Sequence, residues 1–78
     1  MLQLMNYSYI IIGKVKTGKN SKVDFELAKF SNVSKAVITK NKFKATVNMH
    51  FDATKHDLQN VIGGAYSDYK IKKVILQN

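Results

Sequence analysis

The segment Lys16-Thr17-Gly18-Lys19 combines residue types that are suited to holding an anion. Gly18 favours exposed backbone amides, and Lys22 follows at the expected start of a helix, where anions are stabilised. The complete glycine and lysine spacing of a Walker loop is missing. We interpret the segment as a turn and, as an alternative, as a candidate anion- or partner-binding loop that comprises Lys16, Thr17, Gly18, Lys19 and Lys22.

Groups that could catalyse a reaction or bind a metal are scarce in this chain. It has no cysteine, and His50 and His56 are its only histidines. Met49 and His50 are neighbours in a predicted strand, so alternation sends them to opposite faces of the sheet. All 13 basic residues are lysine, so no arginine is present to hold a phosphate as an acylphosphatase does. We predict that the chain is not an enzyme, has no catalytic or metal-binding residues and uses no cofactor.

The charge balance favours an acidic partner. The net charge is +8 and the isoelectric point is near 9.8. Arginine, which reads phosphates and guanines with paired hydrogen bonds, is absent, and we expect His50 to be the only ring on the exposed sheet face. We therefore expect a protein partner with an acidic surface and consider sequence-specific nucleic-acid recognition unsupported. A lysine-rich solvated surface without a partner explains the same composition.

Size and composition predict one small packed domain. A chain of 78 residues has room for a single core, and 45% hydrophobic residues are too many for a disordered chain. We assign residues 1–6 to an N-terminal extension and residues 7–76 to the domain. The first apolar stretch is shorter than the roughly 20 residues that cross a bilayer and has no leader pattern. We expect no membrane span and a cytoplasmic location.

Four segments have the composition and alternation of β-strands. They are residues 7–15, residues 35–39 and 44–51, which flank a polar turn as a β-hairpin, and residues 69–76. In the second strand of the hairpin, the core-facing residues are predicted to be Ala45, Val47, Met49 and Phe51. On the opposite, uncovered face of the sheet we expect Ile10, Ile12, Val37, Thr46, Asn48, His50, Lys70 and Lys72.

Two further segments have helical periodicity. Ser21 can cap a helix over about residues 22–30, and Thr54, with Asp57 at the third helical position, can cap a second helix that ends near Gly63-Gly64. The buried stripe of the second helix is predicted to be Leu58, Val61, Ile62 and Ala65. The order of elements predicts an α+β fold, a ferredoxin-like βαββαβ sandwich with two helices on one face of a four-stranded antiparallel sheet.

About residues 7 to 75 resemble the heavy-metal-associated (HMA) domain of copper chaperones and metal-pumping ATPases. Gly13 matches the glycine that ends the family's first strand, and Asn32-Val33 stands where the family has a Gly-Val turn. The likeness extends to the family's two helices in residues 23–30 and 57–62 and to its third strand in residues 44–47. Its closing tyrosine region is matched by Ala65-Tyr66 or by Tyr69. The family holds its metal with two cysteines three residues apart, and Lys16 and Lys19 stand at those positions here.

Two surfaces are predicted to bind a partner. If Tyr9 and Ile11 face the core, Ile10 and Ile12 point outward together, and Val37 can extend the patch to a partner or to a second copy of the chain. Phe25 lies nearly opposite the buried side of the first helix, so it either folds back over the neighbouring loop or forms a docking spot. The basic residues of that spot are Lys22 and Lys29.

The sequence therefore favours a non-enzymatic binding or adaptor protein with a degenerate HMA fold, in which lysines replace the metal-binding cysteines. One alternative, implied by the resemblance, is a metal-handling protein with an atypical site. Another is a small-molecule-sensing or nucleic-acid-associated regulatory domain, since short βαββαβ patterns occur in amino-acid-sensing domains as well.

The replaced cysteines give a first testable prediction. Cu(I) selects soft thiolate ligands, and protonated lysines repel a cation. The double substitution Lys16→Cys and Lys19→Cys should create a Cu(I) site, measured by competition with a chromogenic chelator. A wild-type chain that competes as strongly as the double variant would contradict the prediction.

Overall fold

The computed structural model of the chain describes residues 6–16 and 29–77. These residues form four β-strands, one α-helix and a short 3₁₀ turn. The strands are β1 (Tyr7–Val15), β2 (Val33–Thr39), β3 (Lys42–Met49) and β4 (Tyr69–Leu76), the helix is α1 (Lys55–Val61), and the 3₁₀ turn spans Gly64–Tyr66. The predicted bounds of β1 and β4 are confirmed, whereas the hairpin strands begin two residues earlier than predicted.

The four strands form one antiparallel sheet in the order β2-β3-β1-β4. Both β1 and β3 are therefore central. Strand β3 separates β1 from β2, and β1 separates β3 from β4, so the connections β1–β2 and β3–β4 each cross one strand. Helix α1 lies in the crossover from β3 to β4. The α+β class and the four-stranded antiparallel sheet are confirmed. Residues 22–28 of the predicted first helix lie outside the described residues, and Lys29 and Phe30 lie in a turn.

Alternation along the central strands builds the core, as the sequence predicts. Tyr9, Ile11 and Val15 of β1 are buried, and so are the alternating residues of β3, which are Phe43, Ala45, Val47 and Met49. The prediction for Phe51 is wrong, because β3 ends at Met49 and the Phe51 side chain is 51% exposed. The buried aromatic residue of β3 is instead Phe43, at the other end of the strand, and its ring packs edge-on against the Tyr69 ring.

Helix α1 begins at the predicted capping box. The Thr54 hydroxyl accepts from the Asp57 amide at 3.1 Å, and the Asp57 carboxylate accepts from the Thr54 amide at 2.9 Å. Those hydrogen bonds lower the pKa of Asp57 below its ordinary value. Leu58 and Ile62 are fully buried against the sheet, as predicted. Ala65 is exposed, contrary to prediction, because Gly63 adopts a φ of 115° and ends the helical periodicity before residue 65 is reached.

A buried tyrosine connects the sheet to the entry of helix α1. The Tyr9 hydroxyl accepts a hydrogen bond from the Ala53 amide at 2.8 Å and donates one to the Asp52 carboxylate at 3.2 Å. Burial, with the neighbouring Asp52 carboxylate, raises the pKa of the phenol above 10.0. The segment before the helix is thereby fixed over the core face of the sheet.

Gly13 marks the closest approach of β1 to its neighbours. A Cβ atom at this position would overlap the Lys70 carbonyl oxygen of β4 and would lie 2.8 Å from Phe43 Cε1 of β3. At the same place the β1–β4 register shifts by one residue, with Ile12 opposite Lys73 and Gly13 opposite Ile71. The extra residue, Lys72, forms a β-bulge. The absent side chain of Gly13 thus permits the tight pairing beside the bulge.

We predict that Gly13→Ala destabilises the fold by about 1–3 kcal/mol, because the new methyl group meets backbone on one side and an aromatic core residue on the other. Gly64→Ala is the matched control. Its Cβ would meet only Asn60 Oδ1 at 3.7 Å, so its cost is the left-handed backbone conformation, about 1–2 kcal/mol. Urea unfolding measures both variants, and a Gly13→Ala variant as stable as the wild type would refute the steric argument.

Candidate binding surface

The side of the sheet opposite helix α1, called the free face below, carries no described helix. The pairing register places the outward residues of the four strands on it. They are Ser8, Ile10, Ile12 and Lys14 of β1, Ser34, Val37 and Thr39 of β2, Lys42, Lys44, Thr46 and Asn48 of β3, and Lys70, Lys73 and Ile75 of β4.

Lysines of neighbouring strands are directly opposite one another on the free face. Lys14 pairs with Lys42 of β3 on one side and with Lys70 of β4 on the other. In the next row, Ile12 pairs with Lys44 and with Lys73. All five of these lysines are exposed. The Lys70 ammonium group also donates a hydrogen bond to the Ala65 carbonyl. Like charges are thus placed at direct cross-strand positions, where an opposite charge would normally be favoured.

No carboxylate lies in any of the four strands. The strands contain seven lysines, and every aspartate and glutamate of the chain lies outside them. The seven are Lys14, Lys35, Lys42, Lys44, Lys70, Lys72 and Lys73. The positive charge of the sheet is therefore not neutralised within the sheet itself.

Aliphatic side chains form the centre of the free face. Ile10 pairs directly with Ile75, and Ile12 follows Ile10 on the same face. Ile10 and Ile12 are half-buried, whereas Ile75 is 39% exposed and Val37 is 56% exposed. The outward direction predicted for Ile10, Ile12 and Val37 agrees with the register. Val37 is separated from Ile12 by Lys44, and a shallow depression lies between the two aliphatic residues.

The bulge in β4 changes which residues reach the free face. Simple alternation from Lys70 would place Lys72 and Val74 outward and would turn Lys73 toward the core. The extra residue reverses the alternation, so Lys73 and Ile75 pair with outward residues of β1, and Val74 packs against the core. Sequence reasoning therefore missed Lys73 and Ile75, and Lys72 lies at the bulge rather than in the regular row.

The predicted anion-binding loop is only partly described. Lys16 is exposed, and its amide donates to the Asp68 carbonyl at 2.8 Å. Thr17, Gly18, Lys19, Lys22 and Phe25 lie outside the described residues. Lys29 is exposed in the turn before β2. Near Lys16, an open cleft of about 220 Å³ is lined by Lys14, Val15, Lys16, Ser67, Asp68, Lys70 and Lys72.

The side chain of Gln59 covers part of the edge of β4. Its amide nitrogen donates to the Tyr69 carbonyl at 2.7 Å, and its amide oxygen accepts from the Ile71 amide at 3.0 Å. The same nitrogen also donates to the Gly64 carbonyl at 2.9 Å. Gln59 thus reproduces the donor and acceptor of a neighbouring strand for one pair of residues and joins helix α1 to the sheet. Its helical position alone gave no signal of this role.

The metal-ligating residue types do not cluster in the described part of the chain. Met49 is buried and His50 is exposed in the bend after β3. Within residues 6–16 and 29–77, no three histidine, aspartate or glutamate side chains are placed to share a metal ion.

In the same residues no helix has the length and apolar character needed to cross a membrane.

We predict that Gln59→Ala lowers the free energy of unfolding by about 1–3 kcal/mol, because it removes three hydrogen bonds and leaves the backbone groups of β4 without these partners. Gln59→Glu is the matched comparison. It keeps an acceptor for the Ile71 amide but cannot donate to the Tyr69 and Gly64 carbonyls while ionised, so it should also be less stable than the wild type. Urea denaturation measures both, and wild-type stability in both variants would exclude the proposed edge contact.

Comparisons with protein-family models, with curated proteins and with solved structures find no match for this chain. The resemblance to the HMA domain consequently stays a prediction.

Proposed function

We propose that this protein is a non-enzymatic binding module that docks an acidic partner protein on the free face of its sheet. The observation that carries the proposal is the row of directly paired lysines Lys42, Lys14 and Lys70 in strands that contain no carboxylate. A partner with aspartate or glutamate side chains would supply the missing negative charge.

The paired lysines repel one another in the unbound chain. Like charges directly opposite in a sheet destabilise it, by roughly a few tenths of a kcal/mol per pair. Lys14 has such a neighbour on both sides. A partner carboxylate placed between paired lysines would be attracted by both of them. The positive charge of the face would also accelerate association with an acidic surface. The lysine row therefore contributes to binding at a small cost to the stability of the isolated domain.

The aliphatic centre supports a protein as the partner. Ile10, Ile12 and Ile75 form an apolar patch that a partner protein can bury. The lysines beside this patch favour a partner with an acidic surface. The tyrosines and the phenylalanine of the four strands pair in register with the core side, so these strands place no ring on the free face on which a nucleotide base would stack. Two copies meeting face to face would bring their lysine rows together, which disfavours a homodimer through this face.

We also propose the finer architecture and ancestry that the sequence suggested. A ferredoxin-like βαββαβ layout, with a first helix between β1 and β2, agrees with the strand order and with the crossover that helix α1 completes. In this proposal the chain is a degenerate HMA domain in which Lys16 and Lys19 have replaced the metal-binding cysteines. Loss of the metal site would leave the sheet face as its binding surface.

The test uses poly-L-glutamate as the acidic probe. Lys14→Gln should weaken its binding by roughly threefold to fivefold, as expected for the loss of one partly exposed ion pair, and should raise the free energy of unfolding slightly, because two repulsive pairs disappear. Lys55→Gln, an exposed lysine of helix α1, removes the same charge away from the face and is the control. Fluorescence anisotropy and urea unfolding measure the two effects. Equal weakening by both variants would show a general charge effect and contradict a site on the free face.

A further inference from the structure

Beyond the bulge at Lys72, the outer edge of β4 exposes a regular row of backbone groups. Residue pairs of an antiparallel ladder alternate between pairs that exchange hydrogen bonds and pairs whose backbone groups point away from each other. The Gln77 amide donates to the Ser8 carbonyl at 2.8 Å, so the next pair, Tyr9 with Leu76, is of the second kind. By the same alternation, the amide and carbonyl groups of Val74 and Leu76 point away from β1 toward the outer edge.

Only the first half of this edge is covered in the described structure. Gln59 occupies the Tyr69 carbonyl and the Ile71 amide. No hydrogen-bond partner from residues 6–16 or 29–77 is found for the outward groups of Val74 and Leu76. The side chains of this half are apolar, with Ile75 39% exposed and Leu76 53% exposed. An exposed, regular, apolar strand edge is a template for another strand.

The opposite edge of the sheet differs from this one. The β2–β3 register shifts between Ser34 and Val37, and Lys35 in that interval has a φ of 51°. A bulge with a left-handed lysine interrupts the row of edge hydrogen-bonding groups, which is a common protection against strand addition. The C-terminal half of β4 is therefore the regular edge among the described strands.

We propose that an extended acidic segment of the partner protein adds to the sheet as a fifth strand along Val74–Leu76. The inference rests on the proposed function, since it specifies how the acidic partner binds. Main-chain hydrogen bonds to the outward groups of Val74 and Leu76 would hold the segment, and alternating side chains would give specificity.

The charges beside the edge select the occupant. Lys70, Lys72 and Lys73 precede the apolar half of β4, and neither β4 nor its neighbour β1 contains a carboxylate. A carboxylate on the free-face side of an added strand would lie next to Lys73, while an apolar side chain on its other side would lie next to Leu76. A second copy of the chain would bring a further net charge of +8 to the same edge, so an acidic segment is the better occupant.

The experiment compares two fluorescein-labelled peptides of alternating glutamate and valine. One has ordinary amides, and the other is N-methylated at every central residue, which keeps the carboxylates but removes the backbone donors. Binding of the N-methylated peptide to the wild-type protein should be weaker by about tenfold or more. In NMR hydrogen exchange, the amides of Val74 and Leu76 should gain protection when the ordinary peptide is added.

A protein variant tests the same edge from the other side. Leu76→Pro removes an amide that points outward and donates no bond in the β1–β4 ladder, so the variant should fold, as checked by urea unfolding, and should lose affinity for the ordinary peptide by a similar factor. Should this variant fail to fold, the two peptides and the exchange measurement decide the question with the wild-type chain.

The outcomes separate this inference from the function on which it rests. Absence of poly-L-glutamate binding overturns the proposed function. Binding of poly-L-glutamate together with equal affinity, or no affinity, for the two short peptides overturns strand addition and leaves the face-binding proposal standing. A dimer of the unliganded chain in analytical ultracentrifugation that Leu76→Pro abolishes would assign the edge to a second copy and overturn the acidic segment as its occupant.

Discussion

The close approach of the β1 and β4 backbones at Gly13 is the constraint on which the exposed surface of this sheet depends. Any side chain at residue 13 would overlap the Lys70 carbonyl and press on the Phe43 ring. The bulge at Lys72 lies directly across from this glycine and reverses the alternation of the rest of β4. Without that reversal Lys73 would point into the core, where an unpaired ammonium group is strongly unfavourable. The bulge avoids this cost and adds both Lys73 and Ile75 to the free face.

The two edge strands of the sheet differ in how their outward backbone groups are interrupted or paired. At β2 a bulge and a left-handed lysine break the regular row of hydrogen-bonding groups. At β4 the amide of Gln59 replaces a strand partner for one residue pair, which also ties helix α1 to the sheet. The hydrogen bonds of Tyr9 to Asp52 and Ala53, just before the helix, also hold helix α1 against the sheet. Helix α1 is thus positioned by polar contacts at its start and in its middle, and by the burial of Leu58 and of Ile62 at its C-terminal end.

Charge is distributed unequally between the sheet and the rest of the chain. Seven of the lysines lie in strands that contain no carboxylate, while Asp52, Asp57 and Asp68 lie in the helix and its flanking loops. Asp57 is committed to the capping box, and Asp52 accepts from Tyr9. Asp52 and Asp57 therefore serve local structure on the helical side, whereas Asp68 lines the cleft near Lys14 and Lys70. The proposed binding function rests on this distribution, because an acidic partner would supply the negative charge that the four strands lack.

The sequence by itself determined the strand bounds of β1 and β4, the capping box of helix α1 and most of the core, because these features depend on local periodicity and on hydrogen bonds between residues close in the chain. It also determined the outward direction of Ile10 and Ile12 from the alternation of a single strand. The tertiary structure decided the rest. Phe43 replaced Phe51 in the core because pairing with β1 and β2 set where β3 begins and ends. The face chosen by Lys73 and Ile75, the lysine row across three strands and the edge contact of Gln59 all depend on register between distant segments. Register is fixed by contacts such as the one at Gly13, and no property of one segment taken alone contains it.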